Sequence, residues 1–271
     1  MQVSAKSKKA GRRLLGQAKS SSGTKMLNVM TSLGELGRDG EVRLMDVVKL
    51  TGYPQPTVHR LLTQLKQAGF VTQQVSGPYR LGPKILTLAA QCLGGLEVRQ
   101  IAASTMQAFC EKMGHTVHLA IADNVEVVYI AKTEPFNGLR IGSTVGQRRP
   151  IPVTALGKAI LAFSSQALLA RVLEAGWEKR TANTLRSTAA LERQLTEIRR
   201  AGYAIDDEES DLGLRCAAAP IFNHEGLPTA ALSVTTLTSR VSYSQLVTLG
   251  SDLAREANAI SEKLGWQPPG V

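Results

Sequence analysis

Apolar residues recur at helical spacing through the first third of the chain. Met26, Val29, Met30, Leu33 and Leu36 share one face of a segment that Gly37 can end. Leu44, Val47 and Val48 repeat the pattern over Leu44–Leu50, and Val58, Leu61, Leu62 and Leu65 fall at i, i+3, i+4 and i+7, which predicts a third helix. From Phe70-Val71 to Tyr79-Arg80-Leu81 the pattern shortens to two strands joined by Ser76-Gly77-Pro78, a β-hairpin. Three helices followed by a hairpin is the order of a winged helix-turn-helix. Pro83 then begins a helix through Cys92 with Ile85, Leu86, Leu88 and Ala89 apolar. Gly94-Gly95 breaks it, and an amphipathic helix follows from Val98 to Met113. The domain boundary is placed between 83 and 97.

Beyond Gly114 the period changes. Thr116–Ala122 and Glu126–Ala131 are β-rich, and Gly138–Thr144 is a short strand candidate. Thr154 opens a helix to about Phe163; Ser165–Ala175 and Thr188–Ala201 are further helices. Leu214–Phe222 and Thr229–Thr236 are apolar strands around a turn at Asn223-His224-Glu225-Gly226. A last helix, Tyr243 to Leu264, starts with the capping pattern Ser242-x-x-Gln245. A sheet with segregated helices makes an α+β domain of the sensor type. The expected organisation is an arm over 1–23, a winged helix-turn-helix over 24–82, a linker helix over 83–97 and a second, α+β domain over 98–266.

Composition narrows the function. Only 4% of residues are aromatic, which argues against a stacking platform for single-stranded nucleic acid. Cys92, Cys110 and Cys216 are odd in number and far apart, which suits free thiols in a reducing cytosol rather than disulfides or a zinc site. No apolar run is long enough for a membrane span and no signal-peptide stretch is present, so the expected location is cytoplasmic. The formal charge of +10 is concentrated at one end. Lys6, Lys8, Lys9, Arg12, Arg13, Lys19 and Lys25 stand in residues 1–25 without a single acid. Such an arm either follows a phosphate backbone or simply solubilises the chain.

The stretch TGYPQPTVHRLL sharpens the nucleic-acid reading. Pro54 belongs to a turn and Pro56 to the first position of a helix, where a missing N–H costs nothing. Gln55, Thr57, His59, Arg60 and Gln64 lie off the apolar stripe at the start of the second helix of a helix-turn-helix, where side chains meet base edges and phosphates. Arg80, at the end of the wing, is placed to reach a phosphate.

Two segments of the second domain invite chemistry. Gly157-Lys158 is not a nucleotide loop, because Pro152 stands where the first glycine belongs and Ala159 replaces Ser or Thr. What remains is a cap-like Thr154 and a helix opening on small residues, which either holds a carboxylate on its free N–H groups or packs closely on a sheet. In Asp206–Asp211 five of six residues are acidic. Crowded carboxylates read as a hard-metal site, an acid–base pair or a solvated loop. No nucleophile elbow, organised triad or cofactor loop is legible, so neither an enzyme nor a cofactor is expected.

Taken together, YPQPTVHRLLTQLKQAGFV, YRLG, IPVTALGKAILA and GYAIDDEESDLGLRCAAAPIFNHEGLPTAALSV resemble an IclR-family transcriptional regulator over about residues 24–266. Pro56 departs from the family, which commonly has Ser there. The resemblance implies a GAF-like C-terminal domain holding a small organic effector. Its pocket would include Ala155 and Leu156 at the helix start, Asp206, Cys216, and Ser233 and Thr235 on the following strand, with Leu214, Ile141 and Val145 as walls. It also implies dimers that pair into tetramers, double-stranded operator DNA as partner, and control more often by repression than activation. The alternatives are an activator of the same family, or a metal-binding or enzymatic protein using the 206–211 loop.

Overall fold

The computed structural model describes residues 21–37, 40–73, 77–94, 96–136 and 141–268. The chain divides into two units, Met1–Cys92 and Leu93–Val271.

In the first unit, helix α1 spans Ser22–Leu36 and starts earlier than its apolar stripe because the Ser21 hydroxyl accepts the Thr24 amide at 3.2 Å. Helix α2, Leu44–Thr51, ends at Gly52 with φ +69°, a left-handed cap that glycine adopts without strain. Helix α3 spans Gln55–Gln67. Pro54 is its N-cap and Pro56 its second residue, so the expected first position shifts by one. The carbonyl of Pro54 still accepts from Thr57 and Val58. Strands β1, Val71–Gln73, and β2, Tyr79–Leu81, pair antiparallel with Val71 opposite Leu81. The expected turn residue Ser76 lies outside the described residues. Val29, Leu33, Val47, Val58, Leu61, Leu62, Leu65 and Val71 form one buried core, the residues that set the helical period. Helix α4, Lys84–Gly94, ends on Gly94 instead of stopping before it. Leu86 and Leu88 on it are exposed.

In the second unit a six-stranded sheet runs in the order β5-β4-β3-β8-β7-β6, antiparallel throughout. The strands are β3 Thr116–Asp123, β4 Glu126–Thr133, β5 Arg148–Pro150, β6 Ala204–Asp207, β7 Leu214–Phe222 and β8 Pro228–Leu237. Alternation sends their side chains to two cores. Val117, Leu119, Ala217, Ala219, Ile221, Leu232 and Val234 meet helix α5, Glu97–Met113, and helix α9, Tyr243–Lys263, whose Ser242–Gln245 capping box is formed. Ala120, Val127, Ala204, Ala218 and Ala231 meet helix α6, Ala155–Ala162, with α7, Gln166–Ala175, and α8, Thr188–Ala201, beyond. Helix α6 is buried at every residue.

Two expectations are corrected here. Asp206 is not on a loop but on edge strand β6, paired with Cys216. Two adjacent acids hid that strand: Asp206 turns into the protein while Asp207 turns away and pairs with Arg215. Residues 141–144 are irregular, and 137–140 lie outside the described residues, so no strand is present at 141–144. The edge strand next to β4 is β5 instead, three residues long and carrying two arginines, too short and too charged for a period of two to register.

Candidate functional site

The α3 face presents what the spacing implied. Val58, Leu61, Leu62 and Leu65 are buried, while Gln55, His59, Arg60 and Gln64 are exposed and Thr57 is half-buried. Arg80 is exposed on β2. No ion pair among the described residues engages Arg60 or Arg80, so both guanidinium groups are open to an outside anion. The turn before α3 is fixed by Tyr53, whose hydroxyl accepts from Asn28 on α1 at 2.8 Å and whose ring lies under Lys25.

The second unit gathers a buried polar row on the α6 side of its sheet. Register sets it: Asp206 opposes Cys216, Cys216 opposes Thr235, and Thr235 opposes Thr116. One step along, Ala218 opposes Ser233 and Ser233 opposes His118. Leu214 shares this face, two residues before Cys216. The groups touch: Cys216 Sγ lies 3.4 Å from Thr235 Oγ1, that oxygen 3.4 Å from His118 Nδ1, and His118 Nε2 2.7 Å from Ser143 Oγ. Tyr129 stacks at a tilt on His118, ring centroids 5.0 Å apart.

Residues 141–147 are tied down over this row. Lys132 Nζ donates to the carbonyls of Ile141 and Ser143 at 2.6 and 2.8 Å, and Gly146 donates to the Tyr129 carbonyl at 2.7 Å. Ile141 and Val145 ride on that segment, Val145 nearly half exposed.

Helix α6 packs on the same side of the sheet. Thr154 Oγ1 accepts the Gly157 amide at 3.0 Å, and Ala155 and Leu156 supply the first-turn donors that precede it. Gly157 is required by close approach: a Cβ there would stand 2.3 Å from the Ile151 carbonyl oxygen. Lys158 is wholly buried and pairs with Glu209 at 2.5 Å and Gln194 at 2.8 Å, so it is a structural cation and not a phosphate lysine.

Charge in the site follows from burial. Burial raises the Asp206 carboxyl above its ordinary pKa, opposed by the Lys158 charge and by bonds from Ser210 and the Glu209 and Ser210 amides. Those bonds, 2.7 to 3.2 Å, occupy both carboxylate oxygens, so Asp206 staples the turn after β6 as well as facing the row. Burial lowers His118 to about 4, with Lys132 adding, so its imidazole is neutral at pH 7. Burial and the Asp206 charge push the Cys216 thiol well up, which leaves no reactive thiolate. Among the described residues no three of His, Cys, Asp and Glu are grouped as metal ligands.

His118, Tyr129 and Ser143 join this row without having been among the expected site residues. His118 sits in TVHLAIAD, which reads as a strand with one polar interruption, and the partners that give it meaning are 25 and 117 residues away.

Comparison with known proteins bears on both units. Residues 24–75 match the IclR helix-turn-helix domain, and residues 90–262 match the C-terminal domain of bacterial IclR transcriptional regulators. The chain is 38% identical over 229 residues to the HTH-type transcriptional regulator XynR of Escherichia coli, covering 83% of this chain and 90% of that protein. It is 30% identical over 231 residues to the transcriptional repressor IclR of E. coli, covering 84% of each. A crystal structure of an IclR transcriptional regulator from Alicyclobacillus acidocaldarius superposes with a TM-score of 0.79 at 27% identity, covering 90% of this chain and 98% of that one. These relatives are regulators and not enzymes. The two family matches together span most of the chain, and the relatives match over more than four fifths of it: the chain belongs to the IclR family of DNA-binding transcriptional regulators.

Proposed function

We propose that this regulator is a repressor whose hold on its operator is set by a small organic acid bound on the α6 side of the sensor sheet. One observation carries the reading: the buried row Asp206–Cys216–Thr235, continued through Ser233 and His118, lies on the sheet face that α6 covers. A carboxylate is held by the first-turn amides at Ala155 and Leu156 and by the hydroxyls of Ser233 and Thr235. Leu214, Ile141 and Val145 limit its size. Gln55, Thr57, His59, Arg60 and Gln64 meet the major groove, and Arg80 meets a phosphate. Leu86 and Leu88 on α4, with Leu27 on α1, supply apolar surface for a dimer seam, and dimers pair into tetramers in the cytoplasm. Repression is favoured because the similar IclR of E. coli is named a repressor.

The effector acts by its differential affinity for two arrangements of the DNA-binding units, and it shifts their balance by no more than that difference. The test is binding of the purified protein to DNA upstream of its own gene and neighbouring genes, scanned over salt and then with aliphatic and aromatic carboxylic acids. Specific binding released by one acid supports the reading. Specific binding indifferent to every acid removes the effector half, and binding enhanced by an acid reverses the sign of control.

A further inference from the structure

Arg149 stands at the edge of the same sheet face. Its partner across the β4–β5 pair is Val127, which is buried on the α6 side, so the Arg149 side chain projects to that side. Its neighbour Arg148 is held by Asp123 and Glu126 at 2.7 Å each. Arg149 is held more weakly, by one contact of 3.3 Å from Nη2 to Asp211 Oδ2. Asp211 gives its other oxygen to Arg180 at 3.0 Å, and Arg180 also donates to the Ser210 carbonyl at 2.7 Å. Two guanidinium groups therefore share one carboxylate, and one positive charge is left over. The charges of Arg149 and Asp211 act on both Tyr129 and Cys216, so the pair stands near the polar row. From Arg149 the chain passes through one short 3-10 turn, Ile151–Val153, into the first turn of α6.

We propose that Arg149 reads a second carboxylate on the effector, exchanging its single contact with Asp211 for the two parallel N–H···O bonds that a guanidinium makes with a carboxylate. The effector class is then a short-chain dicarboxylic acid, one end at the start of α6 and the other on Arg149. This rests on the organic-acid reading above. No covalent bond is made or broken, and Asp211 keeps Arg180 as its partner when Arg149 leaves. The side chain is 23% exposed, which leaves the guanidinium room to change partners.

The experiment is calorimetric titration of the full-length protein with succinate, glutarate and adipate, and with butanoate, pentanoate and hexanoate as length-matched monoacids. One diacid is expected to bind more tightly than its monoacid. Arg149→Gln should weaken that diacid about ten- to a hundredfold, the range for a hydrogen bond to a charged group, and leave the monoacid unchanged. Asp211→Asn breaks the same ion pair from the other side, and it should keep or tighten diacid binding. If both variants weaken the diacid alike, the pair is only a brace and the proposal is wrong. Equal binding of diacid and monoacid to the unmodified protein also overturns it while sparing the organic-acid reading. Failure of every acid to bind the unmodified protein takes that reading down as well.

Discussion

At the scale of single residues, exposure and partners separate groups that stand side by side in the chain. Arg60 and Gln64 are exposed one and two turns into α3, whereas Leu61 and Leu65, one position further along, are buried. Replacing Arg60 by Ala is expected to weaken operator binding by about 1–3 kcal/mol and to relax preference at one base position, measured by titrating operator variants. Uniform weakening across all sequences would make Arg60 a phosphate contact instead. His118 gives a pH prediction. Its folded pKa, about 4, lies below the ordinary 6.5, so the unfolded chain binds the proton first. Its contribution is intact above pH 6.5 and is lost as pH falls toward 4, by roughly 3 kcal/mol in all. Unfolding between pH 7 and 4 should therefore show a smaller acid loss in His118→Asn than in the unmodified protein. An identical loss would mean that His118 takes up its proton at the same pH in the folded and the unfolded chain.

Among elements, α6 has the least freedom. It is buried on all sides, and its third residue lies against the backbone of the 3-10 turn before it. Gly157→Ala forces a methyl into the space of the Ile151 carbonyl, and the helix start must shift. The expected cost is about 1–3 kcal/mol or more, seen as a lower unfolding midpoint together with loss of the acid response. Unchanged stability would show that the start of α6 can move freely. The periods of α1, α3, α5, α8 and α9 were legible because each helix buries one stripe and wets the other. Strands β5 and β6 were not: they are edge strands of three and four residues, too short and too charged for a period of two to register. The candidate pocket was legible in part for the same reason. Asp206 drew notice in a run of acids and Cys216 through the family resemblance, but the register that sets Asp206 opposite Cys216 and Cys216 opposite Thr235 is a property of the sheet.

For the whole molecule, charge and connectivity matter more than any single pair of residues. Six of the basic residues, Lys6 through Lys19, precede the described residues. If the arm follows the duplex, removing residues 1–20 should flatten the dependence of log binding constant on log salt, by about 0.9 for each phosphate that the arm neutralises. An unchanged slope would leave the arm as a solubilising tail. The amino-acid order alone determined the winged helix-turn-helix, the strand-and-helix texture of the second unit and the polar, outward face of α3, because those follow from local periodicity and from side chains that stay on the surface. Only the tertiary structure decided which polar groups are buried together. Hydrogen bonds across β6, β7, β8 and β3 bring Asp206, Cys216, Thr235 and His118 into one row, and they join residues that nothing in their local sequence connects.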